Sequence, residues 1–260
     1  MYVIKADGRR EEFSDEKIIK TCMRAGVDIA TAKSIAKKIR TTFPDGTTSH
    51  KIYLFILDEL DRAGDSGLFA LRESVANLDP VSFELFVKKV LEAHGLKCYW
   101  NRLVKGKYVE HQVDVFAVGD KNYVVECKRH FNPHRFTGLG IVLQVEARLA
   151  DIRAGTKNND LNANAAWIVT NTKFSDHAKQ YAKGMGIRLT GWRYEEPFSL
   201  EHMMQTKKVL PVTVLKTDVS VHRLLLRKRI ITLNDLIKQK PAMPNIKELL
   251  AQSKSLLVKL

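Results

Sequence analysis

The sequence predicts a mixed α/β sandwich, preceded by a small α+β module and followed by a helical, basic region. Three observations carry this expectation. Across the middle of the chain, strand-like and helix-like runs alternate in the order α-β-β-β-α-β-α-β, a pattern that gives a sheet covered by helices. Residues Ala165-Ala166-Trp167-Ile168-Val169-Thr170 form a continuous apolar run, the signature of a strand buried on both faces. The two ends read differently. A short strand and three helical patterns open the chain, and lysine- and arginine-rich helices interrupted by Pro211, Pro241 and Pro244 close it.

Taken in order, Tyr2-Val3-Ile4-Lys5 reads as a strand and Asp7-Gly8 as a hairpin turn. Ser14 or Asp15 can cap the helix that follows, with Ile18, Ile19 and Cys22 on one face. A second helix runs over about 29–39, and Pro44-Asp45-Gly46 turns the chain. A third helix follows Thr48, with Ile52, Phe55, Ile56 and Leu60 at helical spacing. Together these make a small helical bundle with a β-hairpin lid. Asn77-Leu78-Asp79-Pro80 marks a border, so the expected units are 1–76, 77–197 and 198–260. In the central unit a helix over 83–93 is stopped by Gly95. Strands are expected at about 97–104, 111–118 and 122–128, with Gly119-Asp120 turning the second into the third. A helix over 137–153, the apolar strand 165–170, a helix over 175–184 and a strand near 187–192 complete it.

Composition narrows the function. Lys and Arg number 43 against 29 Asp and Glu, a formal net charge of +14, which points to a polyanionic partner. No stretch approaches the ~18 uninterrupted apolar residues of a membrane span. The opening residues lack the apolar run of a secretory signal, so a cytoplasmic protein is expected. Cys22, Cys98 and Cys127 are far apart, which excludes a zinc ribbon and a disulfide framework.

The chemistry concentrates in Val113-Asp114-Val115 on one strand and Val124-Val125-Glu126-Cys127-Lys128 on the next. Side chains alternate faces along a strand, so Glu126 and Lys128 point one way and Cys127 the other. The turn near Gly119 brings Asp114 beside them. Two carboxylates and an ammonium meeting in an apolar sheet are costly unless they pair or hold a metal. Asp114 and Glu126 can hold Mg²⁺ or Mn²⁺ through oxygen, with the Cys127 carbonyl as a further ligand. Such a cation polarises a phosphate and acidifies bound water. Lys128 can orient that water or stabilise developing charge. Glu84, on the preceding helix, can reach the same cluster. His111 lies three residues before Asp114 and faces away from it unless a bulge intervenes. Gln144, Arg148 and Asp151 share one helical face, where an Arg148–Asp151 pair within the helix is the plain expectation.

On these residues the central unit resembles the Mrr-like restriction endonucleases of the PD-(D/E)XK superfamily. The likeness rests on Phe83-Glu84, His111 with Asp114, the triplet Glu126-Cys127-Lys128, and the run Trp167-Ile168-Val169-Thr170-Asn171-Thr172-Lys173-Phe174-Ser175. It covers roughly residues 80–195. It implies a restriction-endonuclease-like mixed sheet, Mg²⁺-dependent cleavage of DNA, Asp114, Glu126 and Lys128 as catalytic residues, and Glu84 as an accessory.

The first eighteen residues, with Val3, Lys5, Asp7-Gly8-Arg9, Glu11, Phe13 and Lys17-Ile18 in fixed spacing, resemble the ATP-cone domain. That resemblance implies a regulatory ATP or dATP, with Lys5, Gly8, Glu11, Lys17 and Thr48 near the nucleotide. A glycine turn lets backbone approach phosphates, and Lys5, Arg9 and Lys17 supply cations. Ala6 stands where the family usually has Arg. No Walker motif is present, so the module is expected to sense nucleotide rather than act as a motor. The basic helices of 198–260 can hold DNA phosphates or dimerise the chain, and a homodimer is the expected assembly. The expectation as a whole is a nucleotide-regulated DNA endonuclease. A non-catalytic nucleotide-sensing DNA-binding regulator and a junction-type repair nuclease are the alternatives.

Overall fold

The computed structural model describes residues 1–5, 8–62, 69–155, 162–194 and 197–260. Ala6, and Asp7 of the expected turn, lie outside them. The N-terminal module contains β1 (Tyr2–Ile4), β2 (Arg10–Glu12), α1 (Asp15–Arg24), α2 (Ile29–Thr42), β3 (Thr47–Thr48) and α3 (Ser49–Arg62). Ser14 caps α1 by accepting from the Lys17 N–H at 3.3 Å. Asp15 instead pairs with Arg40 of α2, at 2.8 Å. The expected hairpin lid is a three-stranded sheet in the order β2-β1-β3, because β3 pairs parallel with β1. Two residues carry no alternation, so this strand is invisible in the sequence.

After α4 (Leu71–Ala76), the central unit runs through α5 (Pro80–Ala93), β4 (Lys97–Lys105), β5 (Glu110–Val118), β6 (Asn122–Lys128), β7 (Phe136–Thr137), α6 (Leu139–Ala154), β8 (Ala165–Thr170), β9 (Lys173–Phe174), α7 (Asp176–Met185) and β10 (Arg188–Thr190). Asp79 caps α5 through the Ser82 N–H at 2.9 Å. Gly95 stops it in the left-handed region, at φ 90°. The sheet order is β10-β8-β6-β5-β4. β4, β5 and β6 form an antiparallel meander, and β6, β8 and β10 run parallel. β8 is the middle strand of the parallel part and is buried at every residue, as its unbroken apolar run requires. The short parallel pair β7-β9 was not among the expected elements.

Two cores sandwich the sheet. On one face Val124, Phe116, Ala166 and Ile168 pack with Val142, Val145 and Leu149 of α6 and Ala178 and Ala182 of α7. On the other, Val115, Val125 and Trp167 pack with Phe83, Phe86 and Val90 of α5. This second core continues without interruption into both flanking regions. It includes Val3, Phe13 and Ile39 of the N-terminal module. It also includes residues of α8 (Leu200–Thr206), α9 (Val219–Arg227), α10 (Leu233–Gln239) and α11 (Ile246–Val258), among them Met204, Leu225, Leu236 and Leu249. Lys89 of α5 pairs with Asp235 of α10 at 2.8 Å. The C-terminal helices are therefore a packed layer of the sandwich. No helix among the described residues is long and apolar enough to cross a membrane.

Candidate active site

The site sits where the central ladder breaks. β4 and β5 pair in constant register from Cys98↔Ala117 to Lys105↔Glu110, but the Asn101/Asp114 step is missing. Asn101 takes left-handed backbone there, at φ 51°. Val115 and Ala117 pack into one core and Val113 into the other, so alternation along β5 shifts at Asp114. The β5–β6 ladder also ends at Val115↔Val125. Asp114 fills the opening: its Oδ2 accepts the Cys127 N–H at 2.8 Å. No residue is inserted in either strand, so the irregularity is a local break in the ladder that leaves Asp114 free to turn into the opening.

Three carboxylates converge on this opening. Asp114 is largely buried and its carboxyl is pushed up to about 7, first by burial and then by the charges of Glu126 and Glu84. The Cys127 N–H and Arg148 oppose that rise without cancelling it. Glu84 comes from α5 and accepts the Trp100 Nε1–H at 2.8 Å. Its carboxyl is raised by burial first, and by Glu126. Glu126 is ion-paired with Arg148 of α6. Lys128 is exposed at the end of β6. The fold thus brings Asp114, Glu126 and Glu84 together, with Lys128 two residues along the same strand.

The helical face on α6 is used across the sheet rather than along the helix. Arg148 reaches Glu126, and Asp151 takes His111 Nε2 at 2.7 Å and the Tyr108 N–H at 3.0 Å. The plain Arg148–Asp151 pair is replaced because His111, two residues before Val113 on the same face of β5, meets α6. Gln144 is exposed. His130 is held through its backbone: its N–H donates to Asn171 Oδ1 at 2.8 Å, and Asn171 Nδ2 donates to its carbonyl at 2.8 Å. Trp100 carried no signal in the sequence, since nothing in a strand pattern says which aromatic will meet a glutamate.

Among the described residues no three His, Cys, Asp or Glu side chains converge closely enough to hold a metal ion. The expected set is smaller: two carboxylates, Asp114 and Glu126, with the Cys127 carbonyl. Its chemistry suits a hard divalent cation. A cation beside Asp114 would reverse the burial and like-charge effects that raise its carboxyl.

In the N-terminal module Gly8 has φ 82° and its N–H donates to the Lys5 carbonyl at 2.9 Å. Lys5 and Lys17 both pair with Glu11, Lys5 at 3.4 Å. This pairing holds the Glu11 carboxyl below its usual range, chiefly through the Lys17 hydrogen bond. Arg9 is exposed. Lys5 and Thr48 line a cavity of about 660 Å³, together with His50, Tyr53 and the segment Phe131-Asn132-Pro133-His134. That segment follows directly on the β6 end that carries Lys128.

The mixed sheet, covered by helices on both faces, is that of a restriction-endonuclease-like domain. A family model described as a restriction endonuclease catalytic domain matches residues 75–192, and one described as an ATP cone domain matches residues 1–77. An uncharacterized protein of Archaeoglobus fulgidus is 37% identical over 150 residues, covering 57% of this chain and 82% of that protein. A second uncharacterized protein of the same organism is 43% identical over 44 residues, covering 17% of this chain and 94% of that one. The crystal structure of a protein of unknown function, AF1548, superposes with a TM-score of 0.59 at 31% identity, covering 70% of this chain and all of that one. Residues 75–192 are thus a restriction endonuclease domain with an ATP cone domain ahead of it, and the chain belongs to one family with the 37%-identical Archaeoglobus fulgidus protein.

Proposed function

We propose that the protein is a Mg²⁺-dependent DNA endonuclease whose activity is set by ATP or dATP at the cone. The observation that carries this reading is the convergence of Asp114, Glu126 and Glu84 at one break in the sheet, with Asp114 raised to about 7. Perturbed carboxylates of this kind mark functional sites.

In this reading Asp114, Glu126 and the Cys127 carbonyl hold the metal, with Mn²⁺ as a substitute. Bound there, the metal would polarise the scissile phosphate and acidify the attacking water. The chain's own groups do the rest. The Cys127 N–H fixes the Asp114 carboxylate. Trp100 fixes Glu84 as an accessory carboxylate. Lys128, at the exposed end of β6, orients the attacking water or stabilises the charge that develops on phosphate. Arg148 neutralises Glu126.

Lys5, Gly8, Arg9, Glu11, Lys17 and Thr48 form the proposed nucleotide site. A cavity shared by Lys5, Thr48 and the 131–134 segment supports regulation by contact. Arg72 of α4 donates to the Pro133 carbonyl and approaches the Asn171 carbonyl at 3.5 Å, so the cone side and the His130 support meet at one side chain. The working division is 1–76 for the cone, 77–197 for the nuclease and 198–260 for the C-terminal layer. A homodimer in the cytoplasm completes the proposal.

The test is cleavage of supercoiled, linear and branched DNA with Mg²⁺, with and without ATP or dATP. Asp114→Ala and Lys128→Ala are each expected to lower the rate by about 10²-fold or more. Cleavage at an undiminished rate in both variants would place the activity elsewhere. Binding without cleavage on every substrate would make the protein a nucleotide-sensing DNA-binding regulator.

A further inference from the structure

A second surface feature, of similar size, meets the cone cavity at Phe131. It is a groove of about 640 Å³ between the start of α5 and helix α9. Its walls carry Arg129, Arg223, Arg227 and Arg229. Asp79 is the acidic side chain among the lining residues, and its carboxylate is committed to capping α5 through Ser82. Among the described residues none of the four arginines is paired with a carboxylate. Arg129 donates to the Ala76 carbonyl at 2.7 Å, and its Nε has no hydrogen-bond partner among the described residues. Arg229 lies 5.1 Å from the Trp100 ring centre, the same tryptophan that holds Glu84.

Four guanidinium groups lining one open groove repel one another unless an anion sits among them. The sequence accounts for their placement. In α9, Leu225 and Leu226 are buried in the core, which leaves Arg223 and Arg227, one turn apart, on the exposed face. Arg129 directly follows Lys128, so the groove begins where the proposed catalytic strand ends. Phe131 stands on its rim, 78% exposed. The same ring lines the cone cavity, so it stands where the two depressions meet. An aromatic face among arginines offers stacking to an unpaired base.

We propose that this groove holds the phosphodiester backbone of the DNA strand entering the active site, and that Phe131 stacks on an unpaired base within it. The proposal rests on the endonuclease reading for its occupant, and it assigns the C-terminal layer a role: α9 forms one wall of the substrate track. It also sets a preference, for DNA that is single-stranded or distorted next to the cut over blunt duplex.

Binding separates this proposal from catalysis. Fluorescence anisotropy of labelled blunt duplex and of duplex with a single-stranded overhang is measured without nucleotide across a salt series. The proteins are the wild type, Arg223→Ala/Arg227→Ala, Phe131→Ala and, as a control of equal charge, Lys33→Ala/Lys37→Ala on the exposed face of α2. The arginine variant is expected to bind every sequence more weakly, with its salt slope reduced by about 2. Raising salt from about 50 to about 200 mM then costs it roughly 10-fold less than the wild type. Phe131→Ala is expected to lose roughly 10-fold on the overhang and little on blunt duplex. The lysine control is expected to keep the wild-type slope. An arginine variant with wild-type affinity and slope overturns the groove, and loss of cleavage in Asp114→Ala from the same preparation leaves the nuclease reading standing. Groove-dependent binding with no cleavage in the wild type overturns the nuclease reading alone. RNA of the same sequence displacing the DNA at lower concentration assigns the groove to RNA and overturns the proposal.

Discussion

At the residue scale, Asp114 decides how the site responds to pH. Its carboxyl titrates near 7 in the folded chain, against an ordinary value near 3.8. The folded state therefore holds this proton over a range in which the unfolded chain has lost it. By linkage, stability is greatest below the lower value and falls as pH rises through the upper one. Comparing the wild type with Asp114→Asn by denaturant melts between about pH 4 and about pH 8, in metal-free buffer, isolates the effect. The wild type is expected to lose stability relative to the variant as pH rises toward 7. Parallel curves would show that Asp114 titrates normally. In the functional reading the same proton must leave before metal binds, so cleavage should decline as pH drops below about 7.

At the element scale, the β4–β5 hairpin and α6 act as one piece. Asp151 on α6 accepts from the hairpin's Tyr108 N–H and pairs with His111. This close seating depends on Gly106. A Cβ there would lie 2.0 Å from Asp151 Oδ2 and 2.8 Å from the Val109 carbonyl oxygen. Gly106→Ala must push the hairpin off the helix, and overpacking of that kind costs about 1–3 kcal/mol. Thermal or denaturant melts measure it. Because α6 also delivers Arg148 to Glu126, activity is expected to fall with the same substitution. An alanine variant as stable as the wild type would mean the hairpin is not seated this way.

At the scale of the whole molecule, the cone and the nuclease-like domain meet at the segment after β6. His134 pairs with Glu73 at 3.4 Å and meets the Tyr53 ring edge-on at 6.1 Å between centres. If nucleotide at Lys5 and Thr48 acts through this segment, His134→Ala should keep nucleotide binding while its effect on cleavage shrinks toward none. Couplings of this sort are typically worth about 1–3 kcal/mol, or 5- to 150-fold. Equilibrium dialysis with ATP alongside cleavage assays separates the two quantities. An unchanged nucleotide effect in the variant would route the coupling through other contacts.

How much of this was legible from residues alone follows from the range of the forces involved. Alternation and apolar runs are local, so β4, β5, β6 and the buried strand β8 lie within a residue or two of where the sequence puts them. Caps and turn residues act over three or four positions, and Ser14, Asp79 and Gly95 end or begin their helices as their chemistry dictates. Strand pairing is not local. The two-residue strands β3, β7 and β9 exist only because a distant partner supplies their hydrogen bonds, and no pattern of two residues can announce that. The site divides in the same way. That Asp114 and Glu126 would lie together could be read from spacing, because neighbouring strands joined by a tight turn bring nearby residues together. The ladder break at Asp114, the Trp100 hold on Glu84, the Arg148 pair with Glu126 and the arginine groove along α9 join residues 13 or more positions apart. Packing of whole layers fixed those contacts, and packing is a property of the folded chain that no short stretch of it contains.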